Sequence, residues 1–178
     1  MAKGNPHTHS LQELQILDPD LARRMQCGLE GFDPGEASTL LPLLVDRFKW
    51  GLNREISFGH ILAEGCIELL SCNDPRILRR YCRIVTAAGR KGPTFGRMMA
   101  QHLVPVLGHR SDPLLKRFLS TVETMTSKGT YTLKAPLEAL GQLLNSGDTG
   151  SALEYLDVLK SAFAPDLTYN ESQHLSLR

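Results

Sequence analysis

Arg76, Arg79, Arg80 and Arg83 fall within the ten residues "DPRILRRYCR" (74–83). Guanidinium groups are permanently charged and offer planar pairs of N–H donors, so a row of them can grip carboxylates or phosphates. The spacing i, i+3, i+4 and i+7 places all four within an arc of about 100° on a helix. Ile77, Tyr81, Ile84 and Ala88, widened by Leu78 and Val85, make a separate apolar face. This segment therefore predicts a helix that buries one side and shows a basic strip on another.

The strip belongs to a longer block. From Pro75 to Ser111 there is no aspartate or glutamate, while Arg76, Arg79, Arg80, Arg83, Arg90, Lys91, Arg97 and Arg110 give a formal +8. The whole chain has a net charge of +1, so the remaining twelve basic and nineteen acidic residues carry −7. Near-neutrality hides a dipolar layout. Candidate binding residues are Arg76, Arg79, Arg80, Arg83, Arg90, Lys91 and Arg97, with Arg117 adjoining beside Lys116 and Lys128. Two accounts compete. The strip can meet an acidic protein surface or a nucleic acid. Alternatively it pairs with Glu64, Glu68, Glu123 and Glu138 of neighbouring segments, at no more than about 1 kcal/mol per surface pair.

Other reactive residues form no recognisable constellation. Cys27, Cys66, Cys72 and Cys82 make no Cys-x-x-Cys, and Cys66 and Cys82 sit at apolar helical positions as small hydrophobes. His7 and His9 form a loose pair in a polar terminus, and His60, His102 and His109 are scattered. His60 with Glu64 is an isolated i, i+4 pair. Neither a metal nor a cofactor is expected, and no dinucleotide, phosphate-loop or nucleophile-elbow motif is present. "GRKGPTFG" (89–96) reads either as an anion cradle at a helix start or as an inter-helix loop.

The elements that must carry these residues are helical. Apolar residues recur at three and four throughout, with almost no strict alternation. Asp-Pro at 18–19, 33–34, 74–75 and 112–113 precedes a periodic segment each time. Aspartate there caps backbone N–H groups and proline opens the helix without losing a hydrogen bond. Asp148-Thr149 starts a last helix in the same way.

A repeat of 37 residues underlies the pattern. "SFGHILAEGCIELL" (57–70) aligns with "TFGRMMAQHLVPVL" (94–107), and "YTLKAPLEALGQLL" (131–144) keeps Leu137, Leu140, Leu143 and Leu144. A weaker early copy runs through Leu21, Met25, Leu29 and Phe32. Each copy is followed by a turn and a second helix, clearest at 75–89 and 113–127. Such a unit cannot bury its own apolar face and becomes stable by stacking. Pro105 and Pro136 inside the pattern suggest kinked first helices.

The segments 66–89 and 103–125, with an apolar helix, a polar Asp-Pro turn and a basic second helix, resemble HEAT repeats over roughly residues 20–164. The resemblance implies an all-α, right-handed α-solenoid of HEAT/armadillo-like hairpins, about eight helices in one domain over 10–164. A disordered stretch over 1–9 and a tail or linker over 165–178 complete the expected layout. The leucine-rich helical pattern is also broadly similar to the repeat regions of von Willebrand factor A-containing proteins that pair with AAA+ ATPases in metalloenzyme activation. No metal-ion-dependent adhesion motif accompanies it.

With 42% hydrophobic residues, no apolar run of 18 and no secretory leader, the expectation is a cytoplasmic, non-enzymatic scaffold. It binds an acidic protein surface through a basic face centred on residues 76–97. The alternative is a nucleic-acid binder with the groove of HEAT-like DNA glycosylases, although no carboxylate stands within the block to do their chemistry.

Overall fold

The computed structural model describes residues 6–126 and 133–163. Among the described residues there are nine α-helices and no strand: α1 (Pro6–Leu17), α2 (Pro19–Leu29), α3 (Pro34–Leu52), α4 (Ile56–Leu70), α5 (Pro75–Lys91), α6 (Pro93–Gly108), α7 (Asp112–Thr126), α8 (Lys134–Asn145) and α9 (Thr149–Phe163). The protein is all-α, and none of these helices is long and apolar enough to cross a membrane. The chain groups into two compact units, Met1–Arg110 and Ser111–Arg178. Helix is present from Pro6, within the stretch 1–9 expected to be disordered. Residues 1–5, Lys128 and the tail over 165–178 lie outside the described residues.

Local chemistry sets most helix starts. The carboxylates of Asp18, Asp33 and Asp74 accept from the backbone N–H of Leu21, Gly35 and Arg76, with a proline next in each case. Asp148 accepts from Ser151 N–H at 2.9 Å. The fourth Asp-Pro differs: α7 already includes Asp112, and the Ser111 hydroxyl accepts from Leu114 N–H at 3.3 Å. Serine caps as well as aspartate, so the boundary moves by one residue. Pro105 lies inside α6 and Pro42 inside α3, whereas Pro136 falls in the first turn of α8, where its missing N–H costs nothing.

The turn before three of these caps repeats in backbone conformation. Asn73, Arg110 and Gly147 adopt left-handed φ values of 49°, 52° and 80°, and stand 37 positions apart. Each directly precedes a capping residue. Asparagine and glycine tolerate that region readily; arginine does so only under constraint. Arg110 donates from its guanidinium to the carbonyl of Cys72, one residue before Asn73.

Within the first unit, α3 packs chiefly on α4 and α5 on α6. Helices α1, α3 and α5 also pack in series, as do α2, α4 and α6. The hairpin expected from a helix at 57–70 and its successor is therefore not the tightest pair, since α5 meets α6 more extensively than α4. The reason lies in two glycine pairs. A Cβ on Gly51 would come 2.8 Å from the Gly59 Cα, and one on Gly96 would come 2.8 Å from the Gly89 Cα. Without side chains there, the backbones of each hairpin touch near its connection.

In the first unit, polar links join α2 to α4, α3 to α5 and α4 to α6. Arg24 in α2 reaches Glu64 in α4, Arg79 in α5 reaches Thr39 in α3, and Arg97 in α6 reaches Ser57 in α4, each 40 residues apart. In the second unit, Arg117 in α7 pairs with Asp157 in α9, again 40 apart. There α7 and α8 both pack on α9, and Thr121 donates to the Leu156 carbonyl at 3.2 Å.

The core of the first unit centres on Phe48, Phe58, Tyr81, Leu62 and Leu69, all at 1% exposure or less. Burying each such side chain contributes roughly 1.5–3 kcal/mol. Tyr81 also carries a polar atom into that core, where its hydroxyl donates to the Ala100 carbonyl at 3.0 Å. Burial pushes its pKa well above the ordinary value, aided by the nearby Cys66 and Cys82 thiols.

Candidate functional site

Helix α5 is held by an apolar face of Ile77, Leu78, Tyr81, Cys82, Val85 and Ala88, all buried. The opposite face carries Arg76, Arg79, Arg80, Arg83 and Arg90, all exposed. Helix stability does not account for this distribution. Arg76, Arg79 and Arg80 crowd the N-terminal half, where the helix dipole disfavours cations, and no acid occupies the first turn. Like charges at i, i+4, as in Arg76 with Arg80 and Arg79 with Arg83, destabilise by roughly 0.2–0.5 kcal/mol each. Only Arg90 and Lys91, in the last turn, suit the dipole.

The packing of α3 beside α5 turns part of this strip into a groove of about 330 Å³. Arg79, Arg83 and Arg90 come from α5 and Arg47 from α3; Leu43, Cys82, Thr86 and Ala87 complete its walls. No carboxylate and no aromatic ring lines it. Arg79 is steadied by its hydrogen bond to the Thr39 hydroxyl at 3.1 Å. Arg47 has the Asp46 carboxylate at 3.8 Å, but Asp46 is 70% exposed and well solvated. Arg83 and Arg90 make no ion pair or hydrogen bond among the described residues.

Two polar groups in the walls stand out chemically. Thr86 is 6% exposed and its hydroxyl has no hydrogen-bond partner. Cys82 lies with its sulfur 3.9 Å from that of Cys66, which is fully buried behind it in α4. The hydrogen bond with Cys82, then burial, pushes the Cys66 thiol well up. The same hydrogen bond, with help from the Arg47 charge, lowers the Cys82 thiol.

The sequence-derived candidates divide into groups. Arg79, Arg83 and Arg90 meet in the groove. Arg76 and Arg80 are on the same helix but do not line it, and the Lys91 ammonium sits 5.9 Å over the Phe95 ring. Arg97 pairs with Glu55 at 2.7 Å and with Ser57, and Arg117 pairs with Asp157 in the other unit. Glu64, a proposed partner of the block, instead holds Arg24 through two contacts of 2.6 Å, which raise the Arg24 pKa. Two of the three glycines of "GRKGPTFG" serve the α5–α6 crossing: Gly89 and Gly96 face each other and Phe58. That stretch is helix on both sides of Gly92.

Arg47 was missed by sequence reasoning. It follows Asp46 and precedes Lys49 in a mixed-charge segment, and only the packing of α3 on α5 gives it a role. His60 is exposed, with Asp18 at 3.9 Å and an edge contact to Phe48. Among the described residues, no three His, Cys, Asp or Glu side chains gather as metal ligands.

Compared with protein families, with curated proteins and with solved structures, this chain matches none.

Proposed function

We propose that the protein is a non-enzymatic helical-repeat scaffold, a HEAT-like right-handed solenoid, that docks an acidic partner on the arginine face of α5. The repeat reading draws support from the left-handed residues 37 positions apart and from the links spanning 40 residues in each unit. The cytoplasmic location expected from the sequence belongs to the same reading.

One observation carries the binding role: four guanidiniums from two helices converge on a groove with no carboxylate in its lining. Concentrating like charge this way lowers stability, and an anionic partner relieves it. Strand binding by nucleic acid uses stacking on aromatic rings, and the groove has none.

The test is fluorescence anisotropy with a labelled glutamate-rich peptide, comparing the native chain with Arg79→Glu/Arg83→Glu. Binding should weaken by at least about tenfold in the variant and fall with added salt. Equal affinity, with unchanged helical content, makes the strip structural. Tighter binding of a DNA duplex than of the peptide transfers the site to nucleic acid.

A further inference from the structure

We infer that the α3–α5 groove is a phosphoryl-group site, gripped by Arg47, Arg79, Arg83 and Arg90 with the Thr86 hydroxyl as an additional donor. This rests on the groove being the anion-binding face and specifies what it holds. Four permanent charges line an open groove of about 330 Å³, a volume at the small end of ligand cavities. A single carboxylate brings one charge and two acceptor oxygens, leaving most of that field unanswered. A phosphate monoester brings close to two charges and three strong acceptors, and guanidiniums bind it bidentately. The geometry of supply also fits, because Arg47 approaches from one helix and the other three from the second.

Thr86 provides an observation independent of charge. A threonine inside a helix ordinarily satisfies its hydroxyl on a carbonyl one turn back. Here the hydroxyl is shut off from water and unpartnered, in a residue of the groove wall. A buried donor without an acceptor is a cost to the empty protein. A phosphoryl oxygen drawn in by the arginines, with a small shift of the wall over Thr86, is the acceptor that it lacks.

The shared chemistry, a terminal phosphoryl group, can arrive on a small molecule or on a phosphorylated side chain. Calorimetric titration of the full chain distinguishes these sources with three probes at matched ionic strength: inorganic pyrophosphate, a phosphoserine heptapeptide, and the same peptide with glutamate at that position. The phosphopeptide, pyrophosphate or both should bind at least about tenfold tighter than the glutamate peptide. Whichever of the two leads names the source. Arg47→Gln and Arg83→Gln should each weaken that binding by about tenfold. Thr86→Val keeps shape, so it should weaken binding severalfold while raising the melting temperature of the unliganded protein.

Equal binding of the glutamate and phosphoserine peptides overturns the phosphoryl assignment and leaves the acidic-partner scaffold standing. Failure of all three probes removes both. Unchanged phosphate affinity in Thr86→Val, or a lowered melting temperature, overturns the role given to Thr86.

Discussion

The Tyr81 hydroxyl occupies the space that a side chain on Gly65 would need: a Cβ at Gly65 would overlap it. From there it bonds the Ala100 carbonyl, so one side chain of α5 spans α4 and reaches α6. Gly65→Ala should therefore destabilise by roughly 1–3 kcal/mol through overpacking. Tyr81→Phe, which loses one buried hydrogen bond, should cost about 1 kcal/mol. In the double variant the worst of the overlap is relieved, leaving the ring Cζ 2.6 Å from the new Cβ, so its loss should be smaller than the sum of the two. Urea denaturation of all four proteins measures this, and strict additivity would refute the contact.

Arginines in the groove and arginines in ion pairs should respond oppositely to neutralisation. Arg97→Gln breaks its bond with Glu55 and should lower stability by up to about 1 kcal/mol. Arg83→Gln removes repulsion and should leave stability unchanged or slightly higher at low salt. Thermal melts at low and high salt check this, because both effects should shrink with screening. A marked loss on Arg83→Gln would show that this charge has a structural partner.

Helix α9 should weaken in acid through its cap. Hydrogen bonds from Ser151 hold the Asp148 carboxyl below its ordinary pKa. A group depressed on folding stabilises fully above its unfolded pKa, and the contribution is lost as pH falls through the folded value. Asp148→Asn keeps a capping acceptor but does not titrate. Between neutral pH and the acid end of the carboxylate range, native stability should fall more steeply than that of the variant. Parallel curves by circular dichroism would reject the cap as the cause.

Alkylation should rank the four thiols by access. Cys27 is exposed and Cys72 partly so, while Cys66 and Cys82 are buried. Iodoacetamide should label Cys27 first and Cys72 next. Cys82 should follow, on the groove side, and Cys66 should react only when the unit unfolds, its thiol being both covered and pushed up. Peptide mapping by mass spectrometry gives the order; early labelling of Cys66 would contradict the packing of α4 on α5.

The parts of this structure legible in the sequence are those governed by local rules. Asp18, Asp33 and Asp74 cap the helices they precede, and Leu21, Met25, Leu29 and Phe32 of the weak early copy are buried. Helix pairing was less legible. Leucine patterns mark which faces are buried, but close backbone approaches are made at Gly51, Gly59, Gly89 and Gly96, which leave no mark in a hydrophobic pattern. The candidate site was half visible for a similar reason. The α5 arginines announce themselves by spacing, while Arg47 acts across a tertiary contact and Arg97 is taken up by Glu55, 42 residues away.

The glycine crossings have a mechanical consequence. Backbone contact at Gly51–Gly59 and Gly89–Gly96 makes each hairpin, α3 with α4 and α5 with α6, a stiff body. The two bodies meet broadly along α4 and α6 and only slightly along α3 and α5. The arginine-lined side is therefore the thinly packed one, where Arg47 of α3 and the arginines of α5 stand along one groove with little helix-to-helix contact to fix their spacing.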